Sequence, residues 1–281
     1  MNTKVGEVFR TRVLSGVVIA FLSLGLLILC HIIPLLLPLL VSLLVVQGLL
    51  EFYLPFKNKG VFPSKYLGIF FALLLVWQTY FGLEEYLSLN LILMFTLIPI
   101  FQFIKSGKLP DFIALGVTCL GVLYLGLLPS FFLKIRNLLG SINYLIFLIF
   151  VTWSGDTFAY FTGKLRGRRK LIALISPNKT IEGSLGGILF TIITALLLGE
   201  MGRYFGYLEI TWVKASDYLI LGLLIAVVGQ IGDLYQSAWK RYLGMKDSGN
   251  LIPEHGGILD RIDSILFAAP LFYYYFLWLS P

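Results

Sequence analysis

The feature that most constrains this chain is a series of apolar runs, each about as long as a bilayer-crossing helix. Such a helix needs about 20 mostly apolar residues. Of the 281 residues, 58% are hydrophobic and 13% are charged, whereas soluble domains average roughly 45–50% and 25%. This is more apolar surface than a single soluble core of that length can bury. The sequence therefore predicts an all-α polytopic membrane protein, and it argues against a soluble enzyme or a disordered chain.

Nine runs have the length and composition of transmembrane helices. They cover residues 13–31, 33–54, 66–82, 88–104, 112–129, 141–161, 184–202, 216–235 and 264–281. Pro34 and Pro38 interrupt the first pair, which is compatible with two closely spaced spans or with one span and a re-entrant piece. We expect two spans, and therefore about nine transmembrane helices.

The distribution of Lys and Arg predicts how the chain lies in the membrane. If the N-terminus is cytoplasmic, 18 of the 22 Lys and Arg residues fall in inward-facing segments. Because cytoplasmic loops retain positive charge, this asymmetry predicts a multi-pass protein of the cell (inner) membrane with N-in/C-out topology. The net charge of +7 is spread over short loops instead of forming a basic face, which argues against nucleic-acid binding.

The two halves of the chain differ in where their polar residues lie. Residues 1–140 have short loops and almost no ionisable group within a span, so we expect a lipid-facing scaffold of transmembrane helices. Residues 141–281 contain two long loops, 162–183 and 236–263, and carboxylates at or inside the span ends. We therefore expect a C-terminal catalytic domain whose active site faces the cytoplasm.

Four carboxylates are predicted to lie at a similar depth, close to the cytoplasmic boundary. They are Asp156, Asp233, Asp260 and Asp263. One interpretation is an interfacial ion-pair network in which Asp260 pairs with Lys240 or Arg261. The other is a metal site, because clustered like charges repel unless a cation lies among them. Mg²⁺ typically uses one or two carboxylates together with substrate phosphates, and a cluster on one face of the membrane offers that arrangement.

Two segments of the cytoplasmic loops have the composition of a phosphate site. In 176–183, Ser176 could cap a helix with Pro177 in its first turn, and the exposed N–H groups beside Lys179 would suit a phosphate. A plain helix start is the alternative. Gly183 and Gly187 form a GxxxG pattern, which more often marks close helix packing than chemistry. The basic run 168–170 is equally compatible with a topology signal or an anionic-lipid contact.

The second loop carries the most specific pattern in the chain. It runs Ser237-Ala-Trp-Lys-Arg, four residues, Lys-Asp, and then His255-Gly-Gly-Ile-Leu-Asp-Arg-Ile-Asp263. Two glycines beside a histidine allow the backbone to approach a ligand closely. Basic residues flank acids that could hold a metal. This combination at a membrane surface suits a nucleoside triphosphate and an anionic lipid.

This loop resembles the signature of the phosphatidate cytidylyltransferases (CDP-diacylglycerol synthases). The match runs from Ser237 to Asp263 and includes Pro253. Trp239 departs from it, since the pattern has an aliphatic residue or Phe there. The resemblance extends to 156–163, to 176–183 and to the nine-span plan, but over 1–140 only the hydropathy is comparable.

The resemblance implies transfer of CMP from CTP to phosphatidate in the bilayer, with release of pyrophosphate. Phosphatidate is already an anion, so the chemical problem is repulsion between two polyanions, which Mg²⁺, Lys and Arg can relieve. A second cation is compatible with this chemistry, as is a homodimer formed through transmembrane helices. By analogy with the family, Asp233 and Asp260 match its metal-binding acids.

The full predicted site combines the resemblance with the reasoning from the residues. The predicted catalytic residues are Asp233, Asp260, Lys240, Arg241 and His255. The predicted metal ligands are Asp233, Asp260 and Asp263. The predicted substrate-binding residues are Asp156, Lys179, Thr180, Glu182, Ser237, Lys246, Asp247, Gly256, Gly257 and Arg261.

Two other functions use similar residues. A cytidylyl or phosphoryl transferase acting on another lipid, such as a polyprenol, would need the same groups. A transporter could use Asp156 and Asp233 as a proton or cation relay, and broken helices at matched positions of two halves would favour it. No such symmetry is visible in the sequence, and the acids cluster towards one face instead of the midplane.

Labelling of single cysteines tests the predicted topology. In a background without Cys30 and Cys119, a membrane-impermeant thiol reagent added to intact cells should fail to reach cysteines placed in 162–183 or 236–263. The C-terminus should be accessible from outside. Labelling of either loop from outside would reverse the orientation and separate the site from cytoplasmic CTP.

Overall fold

The computed structural model of the chain describes residues 24–107, 109–208, 213–249 and 256–279. Its named helices are α1 (Leu36–Tyr53), α2 (Lys65–Tyr80), α3 (Leu87–Ser106), α4 (Phe112–Val122), α5 (Leu128–Leu139), α6 (Asn143–Arg166), α7 (Ile181–Tyr204), α8 (Ala215–Tyr242) and α9 (Leu259–Leu279). Residues 24–32 are helical as well. A π-helical turn, Leu123–Leu127, joins α4 to α5, and two short 3₁₀ helices, Leu54–Lys59 and Glu84–Tyr86, follow α1 and precede α3.

The helices confirm an all-α polytopic membrane fold. Within the described ranges, seven helical elements are long and apolar enough to cross a bilayer. Helix α2 is apolar but has 16 residues, which is shorter than a typical span. The predicted span 13–31 lies mostly outside the described residues. The number of nine spans and the N-in/C-out orientation therefore stay predictions.

A small β-hairpin interrupts the helical pattern between α6 and α7, where we expected only a loop and a helix start. Strand β1 (Lys170–Ile172) pairs antiparallel with β2 (Ser176–Thr180). The prediction that Ser176 caps the helix was wrong, because Ser176 belongs to β2. Thr180 is the N-cap, with extended backbone dihedrals, and its Oγ1 accepts a hydrogen bond from the Gly183 N–H at 3.1 Å.

Glycines bring α6 and α7 unusually close together. A Cβ atom on Gly187 would lie 2.9 Å from the Ala159 Cβ and 3.0 Å from the Gly155 carbonyl oxygen, and one on Gly183 would lie 2.8 Å from the Ala159 oxygen. Small residues permit such approach between membrane helices. The interpretation of the GxxxG pattern as a packing motif is therefore confirmed. This contact places Asp156, next to Gly155, beside α7.

Aromatic contacts join the N-terminal helices to α8. The Phe52 ring stacks on Trp239, with centroids 5.2 Å apart and an interplanar angle of 12°. Tyr53 packs against Gly121 and donates from its hydroxyl to the Thr118 carbonyl oxygen at 2.7 Å. Trp239, the one departure from the family signature, therefore fills an apolar contact between α1 and α8.

Substitution of Gly187 by alanine should destabilise the protein. The added methyl group would push α6 and α7 apart, and overpacking of this kind typically costs about 1–3 kcal/mol. Gly116→Ala in α4 is the matched control, because its Cβ would meet no atom within 4 Å. Thermal unfolding in detergent should show a lower midpoint for Gly187→Ala only. Equal midpoints for the two variants would contradict the packing account.

Candidate active site

The predicted acids meet at the end of the bundle that carries the hairpin. Asp156 lies in α6, Asp233 in α8, and Asp263 near the start of α9. The Ser264 hydroxyl lies 3.4 Å from Asp156 Oδ1 and 3.5 Å from Asp263 Oδ1, so it bridges two of the carboxylates. Asp233 follows Gly232, on which a Cβ atom would lie 2.5 Å from the Asp263 carbonyl oxygen, so α8 and α9 are in close contact beside these acids. Residues that are distant in the sequence thus form one acidic group.

Two lysines pair with acids at this end of the bundle. Lys179, on β2, forms an ion pair with Asp233. Lys240, on α8, pairs with Asp260 through an Nζ–Oδ1 contact of 2.6 Å, and 15% and 10% of the two side chains are exposed. The structure therefore shows the ion pair between Asp260 and Lys240 that the first of the two interpretations predicted. Arg261 is exposed.

The carboxylate of Asp260 is surrounded by donors. Its Oδ1 accepts from Lys240 and from Gln236 Nε2 at 3.1 Å. Its Oδ2 accepts from the Ser248 N–H at 2.8 Å, the Ser248 hydroxyl at 2.9 Å and the Gly257 N–H at 3.1 Å. Five donors fill the roughly four lone-pair positions that a carboxylate offers. Asp260 would have to release a donor before it could ligate a metal.

The side-chain oxygen atoms of this site nevertheless suit a hard cation such as Mg²⁺. In the part of the chain that the structure describes, no three His, Cys, Asp or Glu side chains converge closely enough to hold a metal by themselves. Mg²⁺ does not require such a set, because it takes one or two carboxylates and completes its shell with water and substrate phosphates. Asp233, Asp263 and the Ser264 hydroxyl supply oxygen atoms of that kind.

Thr180 and Glu182, which we predicted to bind substrate, hold the hairpin against α7 in this structure. Thr180 caps the helix, as described above. The Glu182 carboxylate accepts from the backbone N–H groups of Arg168 at 3.0 Å and Arg169 at 3.2 Å. Lys179 takes part in neither contact, but it directly precedes Thr180 at the end of β2. The two side chains therefore fix the position of the strand end that carries Lys179.

Arg241 connects the hairpin to the end of α8. Its Nε donates to the Ile175 carbonyl oxygen at 3.2 Å, and its guanidinium Nη1 donates to the Met245 carbonyl oxygen at 3.3 Å. The planar guanidinium holds both segments at once, which an ammonium group cannot reproduce in the same geometry. We predicted a phosphate contact for Arg241, and the structure shows a bridge between two loops.

The other predicted residues that the structure describes lie in α8 and in the segments between α8 and α9. Ser237 lies one turn after Asp233, with its hydroxyl 3.4 Å from Asp233 Oδ1. Lys246 and Asp247 are exposed at the surface. Gly256 has a φ of +79°, which favours glycine. His255 lies outside the described residues, so its role stays a prediction.

Glu51 is a polar residue near the site that the sequence reasoning missed. It lies in α1, only 6% exposed, and it accepts hydrogen bonds from the N–H groups of Ile258 and Leu259 at 3.0 and 3.1 Å. A carboxylate inside an apolar span has a high free-energy cost, and it is therefore a functional candidate by default. That criterion, applied to the run 33–54, would have selected Glu51.

Comparison with known proteins identifies the family of the chain. Residues 10–279 match the cytidylyltransferase family. The chain belongs to this family. It is 44% identical over 160 residues to phosphatidate cytidylyltransferase of Bacillus subtilis (strain 168), a match that covers 57% of each chain. It is 41% identical over 152 residues to phosphatidate cytidylyltransferase of Staphylococcus aureus (strain COL), covering 54% of this chain and 55% of the relative.

A third relative carries no functional name. The uncharacterized protein YnbB of Escherichia coli (strain K12) is 42% identical over 143 residues, covering 51% of this chain and 45% of the relative. In these matches the chain spans about half the length of the curated relatives.

The bridging role of Arg241 predicts a specific effect of Arg241→Lys. Loss of one hydrogen bond to a charged group costs roughly 1.5–3 kcal/mol, so the hairpin should become more sensitive to limited proteolysis. Arg168→Lys is the matched control, because Arg168 makes its contact to Glu182 through the backbone N–H that the substitution retains. Equal protease sensitivity in the two variants would contradict the bridging role of Arg241.

Proposed function

We propose that this protein transfers CMP from CTP to phosphatidate and releases CDP-diacylglycerol and pyrophosphate. The observation that carries the proposal is the grouping of Asp233, Asp260, Asp263, Lys179 and Lys240 at one end of the membrane bundle. Family membership and the printed names of two relatives support the same reaction. The 18-to-4 distribution of basic residues supports a site that faces the cytoplasm, where CTP is present.

The reaction needs charge compensation more than a strong base. A phosphate oxygen of phosphatidate attacks the α-phosphorus of CTP, a new P–O bond forms, and the bond from that phosphorus to the bridging oxygen breaks as pyrophosphate leaves. Both reactants are anions, so catalysis consists mainly of positioning and electrostatic stabilisation. Lys179 and Lys240 are the described cations closest to the acids, and they are suited to exchange a carboxylate for a substrate phosphate.

Asp233 and Asp263 are the residues that would hold Mg²⁺, and Asp260 would be available as a further ligand only if a donor such as Lys240 released it. Bound Mg²⁺ would neutralise charge on the phosphates of CTP. Asp156 shares the Ser264 hydroxyl with Asp263 and would orient that serine. The location of these acids near one membrane face favours an enzyme over a transporter with midplane sites.

A direct assay tests the proposal. Purified full-length protein in vesicles that contain phosphatidate should release pyrophosphate when CTP and Mg²⁺ are added, and a cytidylylated lipid should accumulate. Vesicles without phosphatidate, or with a polyprenyl phosphate instead, should give no product. Turnover with the polyprenyl phosphate alone would assign the chain to another lipid, and no turnover with either lipid would refute the proposal.

Asparagine variants in the same assay separate the roles of the acids. Asp233→Asn and Asp260→Asn should each lower kcat by about a hundredfold or more, because they remove a charge from the reaction centre while keeping the side-chain volume. Asp217→Asn is the matched control, since Asp217 lies in the first turn of α8, at the opposite end of that helix from Asp233. Wild-type turnover and Mg²⁺ dependence in both site variants would contradict the metal assignment.

A further inference from the structure

Glu51 links the N-terminal helices to the segment that carries most of the predicted site. It lies in the apolar helix α1, 197 residues before Ser248, yet the two side chains are in contact. Only 6% of Glu51 is exposed. A carboxylate buried in this way is strongly unfavourable unless nearby donors compensate it. The donors around Glu51 therefore indicate what the residue does.

The carboxylate caps the N-terminus of α9 from outside that helix. Oε1 accepts from the Ile258 N–H at 3.0 Å, and Oε2 accepts from the Leu259 N–H at 3.1 Å. The first N–H groups of a helix have no partner within the helix, and a negative charge is favourable beside them. Gln47, one turn earlier in α1, also donates to Oε1 at 3.3 Å. Glu51 thus fixes where α9 begins, one residue before Asp260.

Ser248 connects Glu51 to Asp260. Its hydroxyl oxygen lies 3.1 Å from Glu51 Oε2 and 2.9 Å from Asp260 Oδ2, and its N–H donates to the same Asp260 oxygen at 2.8 Å. The hydroxyl has one proton and can donate to one carboxylate at a time. The position of Ser248 is therefore set by two acids from different helices.

The glycines of the segment make room for Glu51. A Cβ atom on Gly249 would lie 3.1 Å from Glu51 Cδ, and a Cβ atom on Gly257 would lie 2.7 Å from it. The second distance is shorter than real Cβ contacts allow. Gly257 was predicted to let the backbone approach a substrate. In this structure its missing side chain admits the Glu51 carboxylate.

We propose that Glu51 is a positioning residue of the cytidylyl-transfer site, which it holds through Ser248 and the first residues of α9. This inference rests on the proposed function, because it assigns Glu51 to the same site. Glu51 acts through Ser248, which contacts Asp260, and through the first residues of α9, and it does not contact substrate itself. The N-terminal helices are therefore part of the site's construction as well as a scaffold.

Glu51→Gln tests the proposal in the full-length protein in lipid nanodiscs. Glutamine has the same shape but no charge, and its amide nitrogen donates where a carboxylate oxygen accepted. Amide hydrogen exchange at Ser248 and at 257–259 should accelerate by about ten- to a hundredfold, the effect of losing one hydrogen bond to a charged group. Exchange in α3 should not change. The kcat/KM for CTP should fall by about tenfold or more.

Glu84→Gln is the matched control. Glu84 pairs with Lys134, and its side chain is 44% exposed, so we expect wild-type exchange at 248 and 257–259 and wild-type kcat/KM. Unchanged local exchange in Glu51→Gln, or an equal increase across all helices, would overturn the positioning role. A local increase without loss of kcat/KM would overturn it as well. A wild-type protein without turnover would refute the proposed function instead, and the exchange data would still show whether Glu51 orders this segment.

Discussion

The pairing of buried carboxylates with lysines and backbone N–H groups is the interaction on which the rest of this structure depends. An uncompensated charge among apolar helices costs several kcal/mol, and three of the acids are met by donors from another element. Lys179 brings the hairpin to α8, Lys240 joins α8 to α9, and Glu51 joins α1 to α9. These contacts fix the relative positions of the hairpin, α1, α8 and α9, which apolar packing alone specifies less precisely.

Under the proposed function, the same pairs would let the site receive a highly charged substrate. A triphosphate that enters the neutralised cluster would take the place of a carboxylate beside a lysine, so the lysine would keep an anionic partner. The carboxylate released in this exchange would be an oxygen ligand suited to Mg²⁺. The hairpin, held by Arg241 and by the N–H contacts to Glu182, keeps Lys179 beside this exchange. The close glycine packing between α6 and α7 lets Asp156 approach Asp233 and Asp263.

The sequence was most informative where a physical constraint is local. Apolar run lengths predicted the membrane helices, and the GxxxG spacing predicted close helix packing at Gly183 and Gly187, although not that α6 is the partner. The hairpin was missed because its short strands carry few hydrophobic residues in alternation, and because Ser176-Pro177 imitates a helix start. An acid in an apolar run could have marked Glu51 as a candidate, but its partners could not be read from the sequence. The bridge made by Arg241 and the cap made by Glu51 depend on contacts across 66 and more than 200 residues.

The proposed function requires that at least one of the two lysine–carboxylate pairs opens to receive CTP, and a structure with the nucleotide bound tests this most directly. The full-length protein would be imaged in nanodiscs with Mg²⁺ and a nonhydrolysable CTP analogue. We predict that the phosphates lie between β2 and the start of α9, with Lys179 or Lys240 moved from its carboxylate to a phosphate oxygen. A nucleotide bound elsewhere, with both ion pairs intact, would contradict the account.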